Sequence, residues 1–268
     1  MPGSRLIALV TLATLALGTI VFAANPASTP KKAPPKPTAP TPPTPPAALR
    51  IDLSGEKEGT EPTRFLPVVG DWTIATDAGQ KVLLVDGRQW KKGQPAGGLA
   101  DKARALYGAR HEEFIDNVKA FAYFPYAVAA EVPDFHDGEI SVRFKLLGGA
   151  LDSCAGILFN LKANGDYLAV RFNGKEDNLV LWTFDKGKRS FVKKGSKDVP
   201  IPFGEWHAIK IAVHGTQLTG YLDGEHLLDY TLAAPVSGKV GVWSKTDSVS
   251  ELGDFVVTPM PQVPQGTM

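Results

Sequence analysis

Between Glu139 and Leu146 apolar and polar residues alternate without a break: Ile140, Val142, Phe144 and Leu146 share one face of an extended chain, and Ser141, Arg143 and Lys145 share the other. Successive side chains of a strand point to opposite sides, so this order predicts a strand with one dry and one wet face. Two further runs, Cys154 to Leu161 and Tyr167 to Phe172, are separated by Asn164-Gly165, a pair that tolerates positive φ and predicts a tight hairpin. Leu179 to Phe184 and Ser190 to Lys193 flank a Gly-containing turn at Asp185-Lys-Gly-Lys. Trp206 to Val213, Leu218 to Leu222 and His226 to Leu232 predict a meander with turns at His214-Gly215 and Asp223-Gly224. Lys239 to Ser244 and Asp254 to Val257 complete the run. Earlier strands are expected at Trp72 to Ala75, Lys81 to Val85 and Phe121 to Ala130, the last bent or held at an edge by Pro125.

One stretch departs from period two. Leu99, Ala103, Leu106 and Tyr107 recur at helical spacing, and Phe114 and Val118 continue the pattern after Gly108, which predicts a short helical insertion near 97–118. Such an insertion either borders a site or plugs one end of the scaffold. Many short strands with frequent turns, and no alternating helices, predict an all-β fold: a two-sheet antiparallel sandwich spanning residues 50–260. One sheet of such a sandwich is commonly concave, and its outer face is where a groove for an extended ligand is expected.

The chain ahead of that domain reads differently. A basic start ending at Arg5, an apolar stretch from Leu6 to Phe22 and small residues at Ala23 and Ala24 predict a secretory signal over residues 1–24, cleaved or retained as an anchor. Residues 25–49 hold ten of the 22 prolines and predict an extended, polyproline-like tether. Residues 261–268 are a short tail. The protein is therefore expected to be exported, to the periplasm or the cell exterior, with no membrane span after signal cleavage.

Composition narrows the chemistry. Cys154 is the only cysteine, so no disulfide can form within the chain, and its place in an apolar run predicts a small buried side chain. Lysines and arginines number 29 against 28 acids, interspersed and without a basic stripe, so nucleic acid is not an expected partner. Ordinary glycoside hydrolysis needs two facing carboxylates. Glu139 opens a run with Ser141 and Phe144 where a Glu-x-Asp-x-x-Glu strand would place its later acids, so that machinery is not expected. The five histidines show no short-spaced ligand pair.

What remains is suited to recognition. Alternation places Tyr167, Ala169, Arg171 and Asn173 opposite Leu168, Val170 and Phe172, and sets Trp243 and Lys245 opposite Val240 and Val242. Aromatic rings and planar polar groups are what a sugar-binding surface uses. Arg143, Tyr167, Arg171, Asn173, Trp243 and Lys245 are therefore candidates for one groove floor. The polar loops add Glu176, Asp177 and Asn178 after the Arg171 strand and Asp247 after the Trp243 strand. The competing reading pairs Arg143 and Arg171 with acids on neighbouring strands and covers Trp243 with the helical insertion.

Several segments together carry a family resemblance: Asp137 to Leu146, Ala155 to Phe184, Gly204-Glu-Trp-His, Tyr221-Leu-Asp-Gly, Gly238-Lys-Val-Gly-Val-Trp-Ser and Asp254-Phe-Val-Val. The most specific is Tyr167-Leu-Ala-Val-Arg-Phe-Asn-Gly-Lys-Glu-Asp-Asn. Over Phe121 to Val257 the chain resembles bacterial exported concanavalin A-like/laminin-G-like domains related to the 3-keto-disaccharide hydrolase family. The resemblance implies a jelly-roll sandwich of the lectin/glucanase kind. It further implies a carbohydrate or cell-envelope glycan partner, with action on sugars in some members and binding or a structural role in others. Many sandwiches of this shape hold a structural Ca²⁺ between a last-strand carboxylate and backbone oxygens near the domain start, which makes Asp254 a candidate metal ligand; no other cofactor is implied. The leading expectation is a non-catalytic glycan-binding or interaction domain with no assigned catalytic residue. The alternatives are a hydrolase or lyase of a modified sugar using Glu176 or Asp177 as acid/base, and a structural envelope module.

Overall fold

The computed structural model describes residues 47–260 other than Trp90 and Tyr123. The expected signal segment, most of the tether and the tail at 261–268 lie outside the described residues. In chain order the elements are β1 (Leu49–Arg50), β2 (Phe65–Val69), β3 (Trp72–Asp77), β4 (Gln80–Asp86), α1 (Leu99–Tyr107), α2 (His111–Phe121), β5 (Tyr126–Ala129), β6 (Gly138–Gly148), β7 (Cys154–Leu161), β8 (Tyr167–Asn173), β9 (Asn178–Asp185), β10 (Lys188–Lys194), β11 (Trp206–His214), β12 (Gln217–Leu222), β13 (Glu225–Thr231), β14 (Lys239–Trp243) and β15 (Val249–Pro259). They form two antiparallel sheets. The eight-stranded sheet runs β13-β12-β11-β6-β15-β4-β3 with β1 added beside β15, and the seven-stranded sheet runs β10-β9-β8-β7-β14-β5-β2. The fold is a two-sheet antiparallel jelly-roll sandwich.

Turn chemistry sets the hairpins where the sequence places them. Asp223 and Gly224 both take positive φ (49° and 81°), as do Lys186 and Gly187 (46° and 70°), the geometry a two-residue hairpin turn needs to match strand twist. Between the sheets, the inward residues of β6 (Ile140, Val142, Phe144, Leu146) meet Phe172, Val170 and Leu181 of the facing sheet in the main core, all nearly or fully buried.

A second core lies outside the sandwich. Helix α1 buries Leu99, Ala103 and Leu106 and α2 buries Phe114 and Val118, residues spaced three and four apart and so on one helical face. That face packs on the outer side of the seven-stranded sheet, against Leu158, Tyr167, Ala169, Phe184 and Trp243. The insertion is therefore a third layer, and it dries a sheet face that alternation alone marks as wet. It also runs to Phe121, so the strand expected from Phe121 begins only at Tyr126, after Pro125. That strand is internal, between β14 and β2, and is not an edge.

Candidate functional site

Among the described residues no helical layer packs on the outer face of the eight-stranded sheet. Alternation on β11 turns Ile209, Ile211 and Val213 inward and leaves Trp206, Ala208 and Lys210 on the open side. The Trp206 indole crosses its neighbour β6. Its Nε1–H donates to Asp77 Oδ2 of β3 at 2.8 Å, and its ring lies 4.8 Å from the Arg143 guanidinium and 5.1 Å from the Lys145 ammonium. Gly253 of β15 pairs with Arg143 and lies under the far edge of the indole, where a Cβ would stand 4.0 Å from the ring, at ordinary van der Waals contact.

Electrostatics hold this arrangement. Lys145 Nζ sits 2.7 Å from Asp77 Oδ1 and 2.6 Å from Glu251 Oε2. Burial opposes the Lys145 charge, but the hydrogen bonds and charges of the two acids outweigh it and raise its pKa. Hydrogen bonds from Lys145 and Trp206 hold the Asp77 carboxyl below its ordinary value, so it stays an acceptor for the indole.

Asp254 stands beside them at a register shift between Gly253 and Val256, with φ of 48°. A bulge of this kind re-aims a side chain, and left-handed backbone in a non-glycine residue is a conformation its surroundings must impose. The carboxylate accepts from Arg50 Nη1 at 2.6 Å and Arg143 Nη1 at 3.0 Å and remains two-fifths exposed. Three shallow depressions, of about 30, 220 and 350 Å³, meet at Asp254. Together they form a trough with a floor of small residues (Ser141, Ala208, Gly253) between Trp206, Arg143 and Arg50.

The candidate residues do not form one groove. Of the ten, only Arg143 lies on this open face; Tyr167, Arg171, Asn173 and Trp243 belong to the seven-stranded sheet, on the far side of the core. Trp243 is fully buried and Tyr167 nearly so beneath the helices, with Tyr167 stacked on Phe184 at 4.1 Å and the Trp243 Nε1–H donated to the Tyr167 hydroxyl at 3.3 Å. These two rings are core, not ligand platforms.

The other candidates converge at the far end of β8, mostly as an internally satisfied network. Arg171, only 2% exposed, donates to Asn178 Oδ1 at 2.5 Å and to Glu176 Oε2 at 2.7 Å. Asp152 accepts from Lys245 (2.6 Å), Asn173 (3.3 Å) and Thr246. Asp247 caps the backbone N–H groups of Ala150, Leu151 and Asp152 at 2.6 to 2.9 Å. The backbone carbonyl of Asp177 receives the Val199 N–H at 2.7 Å. For Glu176, burial disfavours ionisation, yet the Arg171 charge and hydrogen bond prevail and lower its pKa.

Asp254, the candidate metal ligand, is engaged by arginine in this structure. Among the described residues no cluster of three or more His, Cys, Asp or Glu side chains is placed to hold a metal ion. Trp206 was not among the expected site residues, although the parity of Ile209, Ile211 and Val213 marks it as facing away from the core. Two further hollows are mainly apolar: one of about 270 Å³ near Leu49, Phe135 and Met260, and one of about 410 Å³ between Leu168, Val192 and Tyr230. Neither gathers the charged and planar groups that converge at Asp254.

No family model matches the sequence, and no curated protein matches it. Solved structures do match the fold. The carbohydrate-binding module CBM66 from Bacillus subtilis is 14% identical, with 73% of this chain and 96% of that chain covered and a TM-score of 0.51. A Bacillus subtilis protein of unknown function with a galectin-like fold is 12% identical over 82% of this chain and 99% of that one, with a TM-score of 0.50. The likeness establishes the concanavalin A-like sandwich architecture. Among the described residues no helix is long and apolar enough to cross a membrane.

Proposed function

We propose that the protein is an exported, non-catalytic glycan-binding sandwich that holds a sugar chain across the open face of its eight-stranded sheet. The observation that carries this reading is the Trp206 indole, laid over the sheet and tied to Asp77, beside the bulge-borne Asp254 and its two arginines. Sugars present C–H faces to aromatic rings and hydroxyls to planar hydrogen-bonding groups. The trough offers both, and its charges alternate in sign, which suits neutral hydroxyl-rich rings. The fold shared with a carbohydrate-binding module supports the reading.

The alternative from the family resemblance is hydrolysis of a modified sugar of the 3-keto-disaccharide type. Its acid/base would be Glu176 or Asp177, and Glu176, held as a carboxylate by Arg171, suits the role of base rather than proton donor. The open-face geometry favours binding. A glycan-array screen of the purified chain, repeated with Arg143→Ala, tests it: the reading expects neutral glycans captured by the parent and lost with the variant. Capture indifferent to the Arg143 change, or sugar cleavage without retention, refutes it.

A further inference from the structure

Part of the outer face of the seven-stranded sheet escapes the helical layer. There Trp182 of β9 stands half-buried with its edge near Phe191 of β10, ring centroids 5.7 Å apart and planes at 85°, and Phe191 is 60% exposed. The Arg189 guanidinium lies 4.3 Å from the Trp182 centroid and 5.2 Å from that of Phe124. On the other side the Arg171 guanidinium is 5.9 Å from the same indole. The indole is thus flanked by two cations.

Their charges are not balanced alike. Arg171 is paired with Glu176, whereas Arg189 lies against the two rings, acts electrostatically on the Tyr167 hydroxyl, and has no carboxylate partner among the described residues. Hydrogen-bond accounting points to the same patch. Buried donors are almost always satisfied in folded proteins. Here Arg171 Nε and Trp182 Nε1, on adjacent strands, are both buried N–H groups without a partner. An exposed aromatic face, one uncompensated cation and two orphan donors together lack one thing: a ring that carries an anion.

We propose that this patch is a second ligand surface, separate from the open-face trough, and that it takes a carboxylated sugar ring of the uronic acid class. The ring's C–H face packs on Phe191, and its carboxylate takes the Arg189 guanidinium. Arg189 is exposed and has no carboxylate partner among the described residues, so its guanidinium is free to turn to the ligand carboxylate. The inference does not rest on neutral-glycan binding at the other sheet.

Isothermal titration of the full chain with a short galacturonic acid oligosaccharide, and with its methyl ester, tests it. The acid form is expected to bind, to weaken as salt rises, and to lose about tenfold or more in affinity with Arg189→Gln, a surface change that spares the core. Trp182→Phe, which removes only the indole N–H and part of the ring, weakens it as well. Absence of acid binding, equal affinity for the ester, or unchanged affinity in Arg189→Gln overturns the proposal. So does acid binding lost with Arg143→Ala but kept with Arg189→Gln, which assigns the ligand to the opposite sheet.

Discussion

Trp243→Ala separates the two roles an aromatic strand residue can play. A tryptophan that forms a groove floor can be truncated at little cost to the fold, whereas Trp243 is fully buried, with Phe124 at 5.4 Å, Phe184 at 6.1 Å and its N–H on the Tyr167 hydroxyl. A buried tryptophan withdraws about 150–250 Å² from water. At roughly 25 cal/mol per Å² this amounts to about 4–6 kcal/mol, an upper bound because the unfolded chain is itself partly compact. Truncations of core aromatics cost about 3–5 kcal/mol, so about 4 kcal/mol is expected. For a domain of this size that lowers Tm by roughly 8–16 °C. Urea unfolding followed by far-ultraviolet circular dichroism measures the loss with an unchanged slope, and Phe191→Ala serves as the exposed control, expected within about 0.5 kcal/mol of the parent. A loss below about 1 kcal/mol for Trp243→Ala would contradict the helical cover and return the indole to solvent.

Other consequences follow from the same contacts. Burial pushes the Cys154 thiol up to about 12, so a thiol reagent at pH 8 should leave the native protein unlabelled and modify it only in denaturant; rapid native labelling would show the strand open. Asp77 titrates below the ordinary aspartate value of 3.8, so its contribution is complete above that value and lost as pH falls through the lower folded one. Trp206 fluorescence should accordingly stay constant from neutral pH to about 4.5 and change only below about 4; a transition centred between about 5 and 7 would assign the indole another partner. Asp254→Gly exchanges left-handed strain for two exposed ion pairs worth at most about 1 kcal/mol each. Its stability should lie within about 1 kcal/mol of the parent while neutral-glycan affinity falls about tenfold, and a loss above about 2 kcal/mol would make Asp254 structural.

Local order was legible in the sequence and long-range assignment was not. Gly165, Asp223 and Gly224 take positive φ in real hairpin connections, because tolerance of positive φ is a property of such residues themselves. The parity of Ile140, Val142, Phe144 and Leu146 likewise survives folding, since one-face burial is what the strand is selected for. Parity, however, says only which residues share a side. It does not say which sheet a strand joins, and so Arg143 and Arg171, both on polar faces, end on opposite surfaces. Nor does it reveal that α1 and α2 cover Tyr167 and Trp243. The pairing of Arg50 with Asp254, 204 residues apart, and of Asp77 with Lys145 and Trp206 depends on how distant strands assemble, which no local pattern encodes.

The decisive observation is where a sugar settles on the sandwich. Backbone amide chemical shifts, recorded as a neutral glycan selected on the array is added to isotope-labelled protein, locate it directly. The predicted perturbations cluster on Ser141 to Lys145, Trp206 to Lys210 and Gly253 to Asp254. Perturbations confined to Tyr167 to Asn178, with the Trp206 and Asp254 amides unmoved, contradict the open-face site.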